Sequence, residues 1–220
     1  DRETLEKRHF NQLSDALKTV PGVLVRKPGY RGGEMGIEDS HSILSINGDE
    51  RVVVLVDGRR VDNSAANVLS AYSEDGTKAM LDINQIINMN GVEQIEVIKG
   101  PGASVYGSDA TGGVINIITR KGAEGMHGSL DLSTGSWHKH NYALTFSGSA
   151  DSDKTLRYFA TVSRNMSGDT KYVDGVTGTT GTLGGSRWKE DTANIRIDKS
   201  FGKKQNLKLL YKLDYFYPIS

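Results

Sequence analysis

Cysteine is absent from the 220 residues. That excludes disulfides and thiolate metal sites, and it fits an oxidising compartment without requiring one. An excess of either charge is also missing, since 27 basic residues balance 27 acidic ones. The electrostatic footprint of a nucleic-acid-binding protein is therefore not there. No stretch approaches the ~20 consecutive apolar residues of a membrane helix. The opening "DRETLEKRHF" carries no signal peptide, as in a mature or trimmed chain. These absences do not make the chain soluble, because transmembrane β-barrel strands alternate and average out as hydrophilic. What is abundant points the same way: 26 glycines and nine tyrosines suit a barrel better than an average enzyme.

Along the chain, Leu13, Leu17 and Val20 recur at helical spacing after a possible cap at Asn11. One helix is expected over the first twenty residues, ended by Pro21-Gly22. Val23 to Arg26, Ser42 to Ile46 and Arg51 to Val56 read as strands, with "VDG" turning the chain at Val56 to Gly58. Two polar loops, Lys27 to Asp39 and Asn63 to Lys78, separate these elements. Asp82 can cap a short helix carrying Ile83, Ile86 and Ile87. Alternation returns at Val92, Ile95 and Val97, then less cleanly at Val114, Ile115, Ile117 and Ile118.

After Lys121 the strands lengthen, each with an apolar and a polar face. Tyr142, Leu144 and Phe146 oppose Ala143, Thr145 and Ser147; Ala193, Ile195 and Ile197 oppose Asn194, Arg196 and Asp198. With Gly128–Thr134, the run from Leu156 and the run from Leu207, this predicts five strands. Alternation alone fits a barrel wall with a wet lumen and an aromatic girdle, and equally a soluble antiparallel sheet with one solvated face. The connections favour the barrel. Asp151–Lys154 and Gly202–Gln205 are short, Asn165–Glu190 is long and polar, and short turns alternating with long loops are the barrel arrangement.

Between two of the earlier strands the chain places Gly100, Gly102, Gly107, Gly112 and Gly113. A phosphate cradle is one reading, but "GPGASVYG" lacks the Gly-Lys-Ser/Thr of a phosphate loop. Ser108 beside Asp109 is not a hydrolytic pair either, because the Gly-x-Ser-x-Gly pattern is missing. Positive φ and close backbone approach are the other reason for glycine. At "VEQIEVIKGPGASVYGSDATGGVINIITRKG" the chain closely resembles the plug domain of TonB-dependent outer-membrane receptors. The matching positions are Glu96, Lys99, Gly100, Pro101, Tyr106, Gly107, Ser108, Ala110, Gly112, Gly113, Ile115, Asn116 and Ile117. "SDALKTVPGV" and "VVVLVDGRRV" match two further plug segments in order.

The resemblance implies an α+β plug domain over residues 1–121, followed over 122–220 by the first antiparallel β-strands of a large transmembrane β-barrel. Barrels of this kind have about 22 strands. Implied too are active uptake of a scarce metal chelate, a ferric siderophore or haem, with cobalamin as the alternative, and no enzymatic activity or cofactor. The implied partners are the TonB–ExbB–ExbD complex, outer-membrane lipid, and no nucleic acid, in the outer membrane of a diderm bacterium. A soluble nucleotide-binding α/β protein is the alternative from another class. Two positions depart from the family, which has Arg where this chain has Asn47 and Lys99; in the family these arginines pair with barrel carboxylates and hold the plug. The glycine segment is expected to be a structural hinge between plug and barrel, with Asn116 and Thr119 facing a polar barrel wall.

A TonB box, which precedes the plug in the family, is not recognised within the 220 residues. Five strands do not enclose a plug of ~120 residues, so the chain is expected to be one piece of a longer transporter, with a second chain supplying the remaining strands, or else a truncated form. Ligand contacts are expected from the apical plug loops, at Tyr30, Arg31, Glu34 and Tyr72, where an aromatic face and a fixed cation suit a flat or anionic chelate. His138 and His140 are weak metal-ligand candidates in the first extracellular loop.

Overall fold

The computed structural model describes residues 1–10, 12–26, 43–61, 83–100, 106, 110–153, 155–202 and 205–218. Described residues up to Arg120 form one compact unit, and those from Lys121 onward a second.

In the first unit, the Asp1 side chain accepts from the Thr4 amide (2.9 Å) and starts α1 (Arg2–Lys7). The single helix expected here is two, because His9 takes a left-handed φ of 50° and such a residue stops a helix. α2 (Leu13–Lys18) then carries the Leu13/Leu17 periodicity alone; Gln12 is its N-cap without a side-chain bond, and Asn11 lies outside the described residues. Arg2 fastens α1 through Nη1, which donates to the carbonyls of Met89 (3.2 Å) and Val92 (3.1 Å). Among the described residues β1 (Val23–Arg26) pairs only with β2 (Ile43–Ile46), antiparallel. The larger sheet contains β3 (Val52–Val56), β4 (Arg59–Arg60), β5 (Val92–Lys99) and β6 (Gly113–Thr119), in the order β4-β3-β6-β5. A short α3 (Ile83–Ile86) and a 3-10 turn (Met89–Gly91) precede β5; the proposed cap Asp82 lies outside the described residues.

β6 runs parallel to β3 and antiparallel to β5. It is apolar on both faces because both are covered. Ile115 and Ile117 join Leu13, Leu17 and Ile83 in the main core, while Val114 packs with Val53, Leu55 and Ala110 on the opposite side. That double burial is why its alternation is unclean in the sequence.

The second unit is a five-stranded antiparallel sheet. Its strands are β7 (Met126–Gly135), β8 (Lys139–Ser149), β9 (Leu156–Ser167), β12 (Trp188–Phe201) and β13 (Gln205–Pro218), in the order β13-β12-β9-β8-β7. β9 and β12 outrun the expected strands because Trp188 already faces Ser167 in the ladder. The connection between them folds as a separate hairpin of β10 (Thr170–Val173) and β11 (Thr180–Leu183). Strand parity is as the sequence predicts, with apolar rows on one face and mostly polar ones on the other, where Ala143, Phe159 and Leu210 are the apolar exceptions. Leu130, Leu144, Val162, Ala193 and Leu213 lie in one cross-strand row, and Gly128, Phe146, Ala160, Ile195 and Tyr211 in the next. The opposite face carries Thr145 against Thr161 (3.2 Å) and Ser163 against Thr192 (2.8 Å).

The polarity is inverted relative to a soluble sheet. Thr161 is 1% exposed and Arg196 3%, whereas Val162 is 51% and Phe146 49% exposed. A soluble sheet with one solvated face does the opposite.

At the short-turn end, Asp151 is the hub of the β8–β9 connection. Its carboxylate accepts from the Leu156 amide (2.9 Å), the Thr155 hydroxyl and Lys199 Nζ (2.9 Å). These bonds, the Leu156 amide foremost, hold the Asp151 carboxyl well below the usual Asp range. A depressed carboxyl stabilises the fold above its unfolded pKa, and that contribution is lost as pH falls through the folded value. Carboxyl-detected NMR titration should give Asp151 a midpoint below the ordinary value of ~3.9. Lys199→Met should raise that midpoint, and an ordinary midpoint in the unaltered protein would refute the clasp.

Candidate functional site

The motif-bearing segments of the first unit meet at one corner. Ile46 and Asp49 exchange backbone bonds (Ile46 N to Asp49 O, 3.0 Å; Asp49 N to Ile46 O, 3.1 Å) around Asn47 (φ 52°) and Gly48 (φ 88°). Both central residues have positive φ, which is the mirror-image type I′ hairpin that Asn-Gly favours. Judging Asn47 by charge alone therefore misses what it supplies, namely ready access to the left-handed region. Its backbone N–H donates to the Gly22 carbonyl (2.8 Å), while the Lys99 ammonium donates to the Pro21 carbonyl. The two residues that depart from the family pattern thus hold the same α2–β1 turn from two sides. Asn47→Gly should be within a few tenths of a kcal/mol of the unaltered protein, while Asn47→Val should cost about 1–2 kcal/mol because a branched side chain is strained at positive φ. Urea titration of the first unit's signal compares the two, and equal stability would refute the turn assignment.

The glycine segment closes the corner. Gly100 donates to the Gly112 carbonyl (3.2 Å), and Gly112 to the Arg51 carbonyl (3.0 Å). A Cβ on Gly112 would stand 2.7 Å from the Asp49 carbonyl oxygen. On Gly113 (φ +148°) it would overlap the Ile98 carbonyl oxygen and lie 2.7 Å from Ile46 Cδ1. These two glycines make room for carbonyls of their own unit, so that β6 can start between β5 and the Asp49–Arg51 segment. Tyr106 is exposed, Ala110 is buried, and Pro101, Gly107 and Ser108 lie outside the described residues.

The polar interruptions of β5 and β6 also find partners within the unit. Asn116 Nδ2 donates to Glu96 Oε2 (2.9 Å), Gln94 Nε2 donates to Glu96 Oε1 (3.0 Å), and the Gly58 amide donates to Asn116 Oδ1 (3.0 Å). Asp57 accepts from the Thr119 amide (2.9 Å) and hydroxyl (2.6 Å), while its own N–H donates to the Ile117 carbonyl (2.8 Å). Asn116 and Thr119 brace the Asp57-Gly58 hairpin, whose residues both have positive φ. Gln94 and Asp57 are the members that sequence reasoning does not single out as a site. The Asp-Gly dipeptide after an apolar run is the available signal.

Tyr30, Arg31, Glu34 and Tyr72 lie outside the described residues. His138 and His140 are not loop neighbours. His138 (φ 55°) is a central residue of the tight β7–β8 turn, and His140 already belongs to β8, its ring stacked on Tyr142 with centroids 6.3 Å apart. Among the described residues no group of three or more His, Asp or Glu is placed to hold a metal ion.

The sequence model of the TonB-dependent receptor plug domain matches residues 1–114. The chain belongs to that family. Over 133 residues this plug-bearing chain is 41% identical to an iron-regulated outer membrane virulence protein of Vibrio cholerae, covering 60% of the chain and 18% of the relative. It is 32% identical over 146 residues to the vitamin B12 transporter BtuB of Vibrio vulnificus, covering 66% of the chain and 21% of the relative. A mutant of the ferric enterobactin receptor PfeA of Pseudomonas aeruginosa, crystallised with enterobactin, superposes with a TM-score of 0.68 at 24% identity, over 98% of this chain and 32% of that one. The chain thus spans about a fifth of the curated relatives it matches, and that structural likeness extends the shared fold through the antiparallel strands beyond the plug.

Proposed function

We propose that residues 1–121 are the plug and residues 122–220 the first barrel strands of a TonB-dependent transporter that takes up a ferric chelate across the outer membrane of a diderm bacterium. The carrying observation is the inverted sheet, with exposed aliphatic and aromatic rows on one face and buried hydroxyls, amides and Arg196 on the other. Exposed apolar rows are at home in hydrocarbon, while a polar opposite face suits a lumen. No described helix is long and apolar enough to cross a membrane, so strands are the crossing elements of this reading. On it, the TonB–ExbB–ExbD complex supplies the energy, and a second chain or the rest of a longer one supplies the remaining strands. The protein performs no chemistry on its cargo, in keeping with a family of transporters and receptors.

Iron is favoured as cargo by the names of the relatives from Vibrio cholerae and Pseudomonas aeruginosa. The relative named for vitamin B12 supports cobalamin as the second reading. In a host stripped of its own receptors, the transporter carrying this chain should restore growth under iron limitation on ferric siderophores or haem. Rescue confined to cobalamin-dependent growth would replace the first reading with the second. Tyr30, Arg31, Glu34 and Tyr72 are the proposed plug-borne ligand contacts; Tyr30→Ala with Arg31→Ala should weaken binding of the rescued chelate, and unchanged affinity would remove them from the site.

A further inference from the structure

The chain carries the dipeptide Asn-Gly at Asn47-Gly48 and again at Asn90-Gly91. In such a pair the glycine nitrogen can attack the amide of the preceding side chain. A glycine has no Cβ to shield its N–H or restrict the backbone around it, and ring closure within one molecule needs no outside partner. The fold treats the two copies in opposite ways.

At Asn47-Gly48 the reacting groups are open to water, since both residues are exposed. The hairpin bonds use Ile46 and Asp49, and the Asn47 N–H is taken by the Gly22 carbonyl. Among the described residues the Gly48 N–H donates to none, and nothing stands within 4 Å of where a Cβ on Gly48 would be. The Asn47 side chain reaches back over Gly22. A Cβ built on Gly22 would meet Asn47 Oδ1 first and would lie 3.7 Å from Lys99 Nζ. Amide and ammonium therefore share the space above that glycine.

At Asn90-Gly91 the same groups are committed. Gly91 is buried, its N–H donates to the Asn88 carbonyl (2.9 Å), and its carbonyl accepts from the Arg120 N–H (2.9 Å). The Asn90 N–H donates to Asn88 Oδ1 (2.8 Å), and the Asn90 carbonyl accepts from Arg120 Nη1 (3.4 Å). This 3-10 turn has to open before the Gly91 nitrogen can attack.

We propose that Asn47 is a site of spontaneous covalent modification, cyclising onto the Gly48 nitrogen and reopening as an acid, and that the fold protects Asn90 from the same reaction. In the first step Gly48 N bonds to Asn47 Cγ, the Cγ–Nδ2 bond breaks, and ammonia departs with the Gly48 proton. Water then adds to either carbonyl of the cyclic imide and breaks one of its N–C bonds. The products are an aspartyl and an isoaspartyl residue at position 47. Water is consumed and ammonia released in equal amounts, and nothing is oxidised or reduced. The aspartyl form keeps the hairpin, because Asp also enters the left-handed region, and it places a carboxylate where Lys99 faces a neutral amide. The isoaspartyl form routes the main chain through the former side chain and adds a methylene between Ile46 and Asp49. The site belongs to the fold and stands whichever cargo is carried.

Peptide mapping by mass spectrometry tests this on the full receptor held at mildly alkaline pH over days, beside a sample unfolded in guanidinium. In the folded receptor Asn47 should convert at least about tenfold faster than Asn90, whose cyclisation waits on local opening. Unfolded, the two rates should agree within about threefold, because the turn that separates them is gone. Equal rates in the folded receptor, or conversion of Asn47 without isoaspartyl product, would overturn the site. A difference that persists in guanidinium would trace the selectivity to sequence and overturn the protection. The Asn47→Asp variant stands for the aspartyl product: its new carboxyl should titrate below the ordinary ~3.9, and adding Lys99→Met should raise that midpoint. An identical midpoint in the two variants would overturn the pairing with Lys99.

Discussion

Gly113→Ala should unmake the plug sheet at its centre. The position has φ +148°, and the added methyl would overlap the Ile98 carbonyl oxygen and press on Ile46 Cδ1 at 2.7 Å. Backbone cannot yield as a flexible side-chain tip does, and Gly113 opens the strand that is buried on both faces. Conformational strain of about 1–3 kcal/mol adds to an overpacking cost of about 1–3 kcal/mol, so about 2–6 kcal/mol is expected. Gly58→Ala is the matched control: its φ is +79°, yet nothing lies within 4 Å of where the methyl would stand, so only the conformational cost of about 1–2 kcal/mol applies. Hydrogen exchange of the Val114–Thr119 amides reports the difference. Comparable exchange in the two variants would show that crowding at Gly113 is relieved without cost.

Ile195→Arg should prevent assembly rather than merely weaken it. Ile195 sits in the middle apolar row between Ala160 and Tyr211, two rows from Asp191 on one side and two from Lys199 on the other. An arginine at the midplane of a barrel's lipid face costs about 2–4 kcal/mol, far more than at its rim. The same residue introduced for Leu132, which shares the row of Tyr142 next to Arg164, should be tolerated at about 0–1 kcal/mol. Outer-membrane fractionation with heat-modifiable migration measures both. Normal assembly of Ile195→Arg would mean that this face does not contact hydrocarbon.

Parity makes the second unit legible. In a strand each residue's face follows from its neighbours', so Tyr142, Leu144 and Phe146 can be assigned together without knowing the fold. Which face is buried cannot be read that way, because alternation is identical for a soluble sheet and a membrane wall; the exposed Val162 beside the buried Thr161 decides it. The glycines are harder. That Gly112 and Gly113 are needed is visible in the sequence, but not what they avoid, since Asp49, Arg51 and Ile98 become neighbours only once β3 and β5 flank β6. Asn47 invites attention for its missing charge, while its backbone angle is the informative property. The single expected helix fails at His9, where no glycine or proline marks the break.

The way α1 is attached has a mechanical meaning. A load applied at Asp1 reaches the four-stranded sheet first through the guanidinium of Arg2 on the Met89 and Val92 carbonyls, and through burial of Leu5. Among the described residues, two side-chain bonds and one leucine hold α1, and these yield at lower tension than the seven-residue ladder of β6, whose neighbours hold it on both edges. The first unit therefore contains a sacrificial link at its leading end, able to release six helical residues of slack while the sheet behind it stays whole.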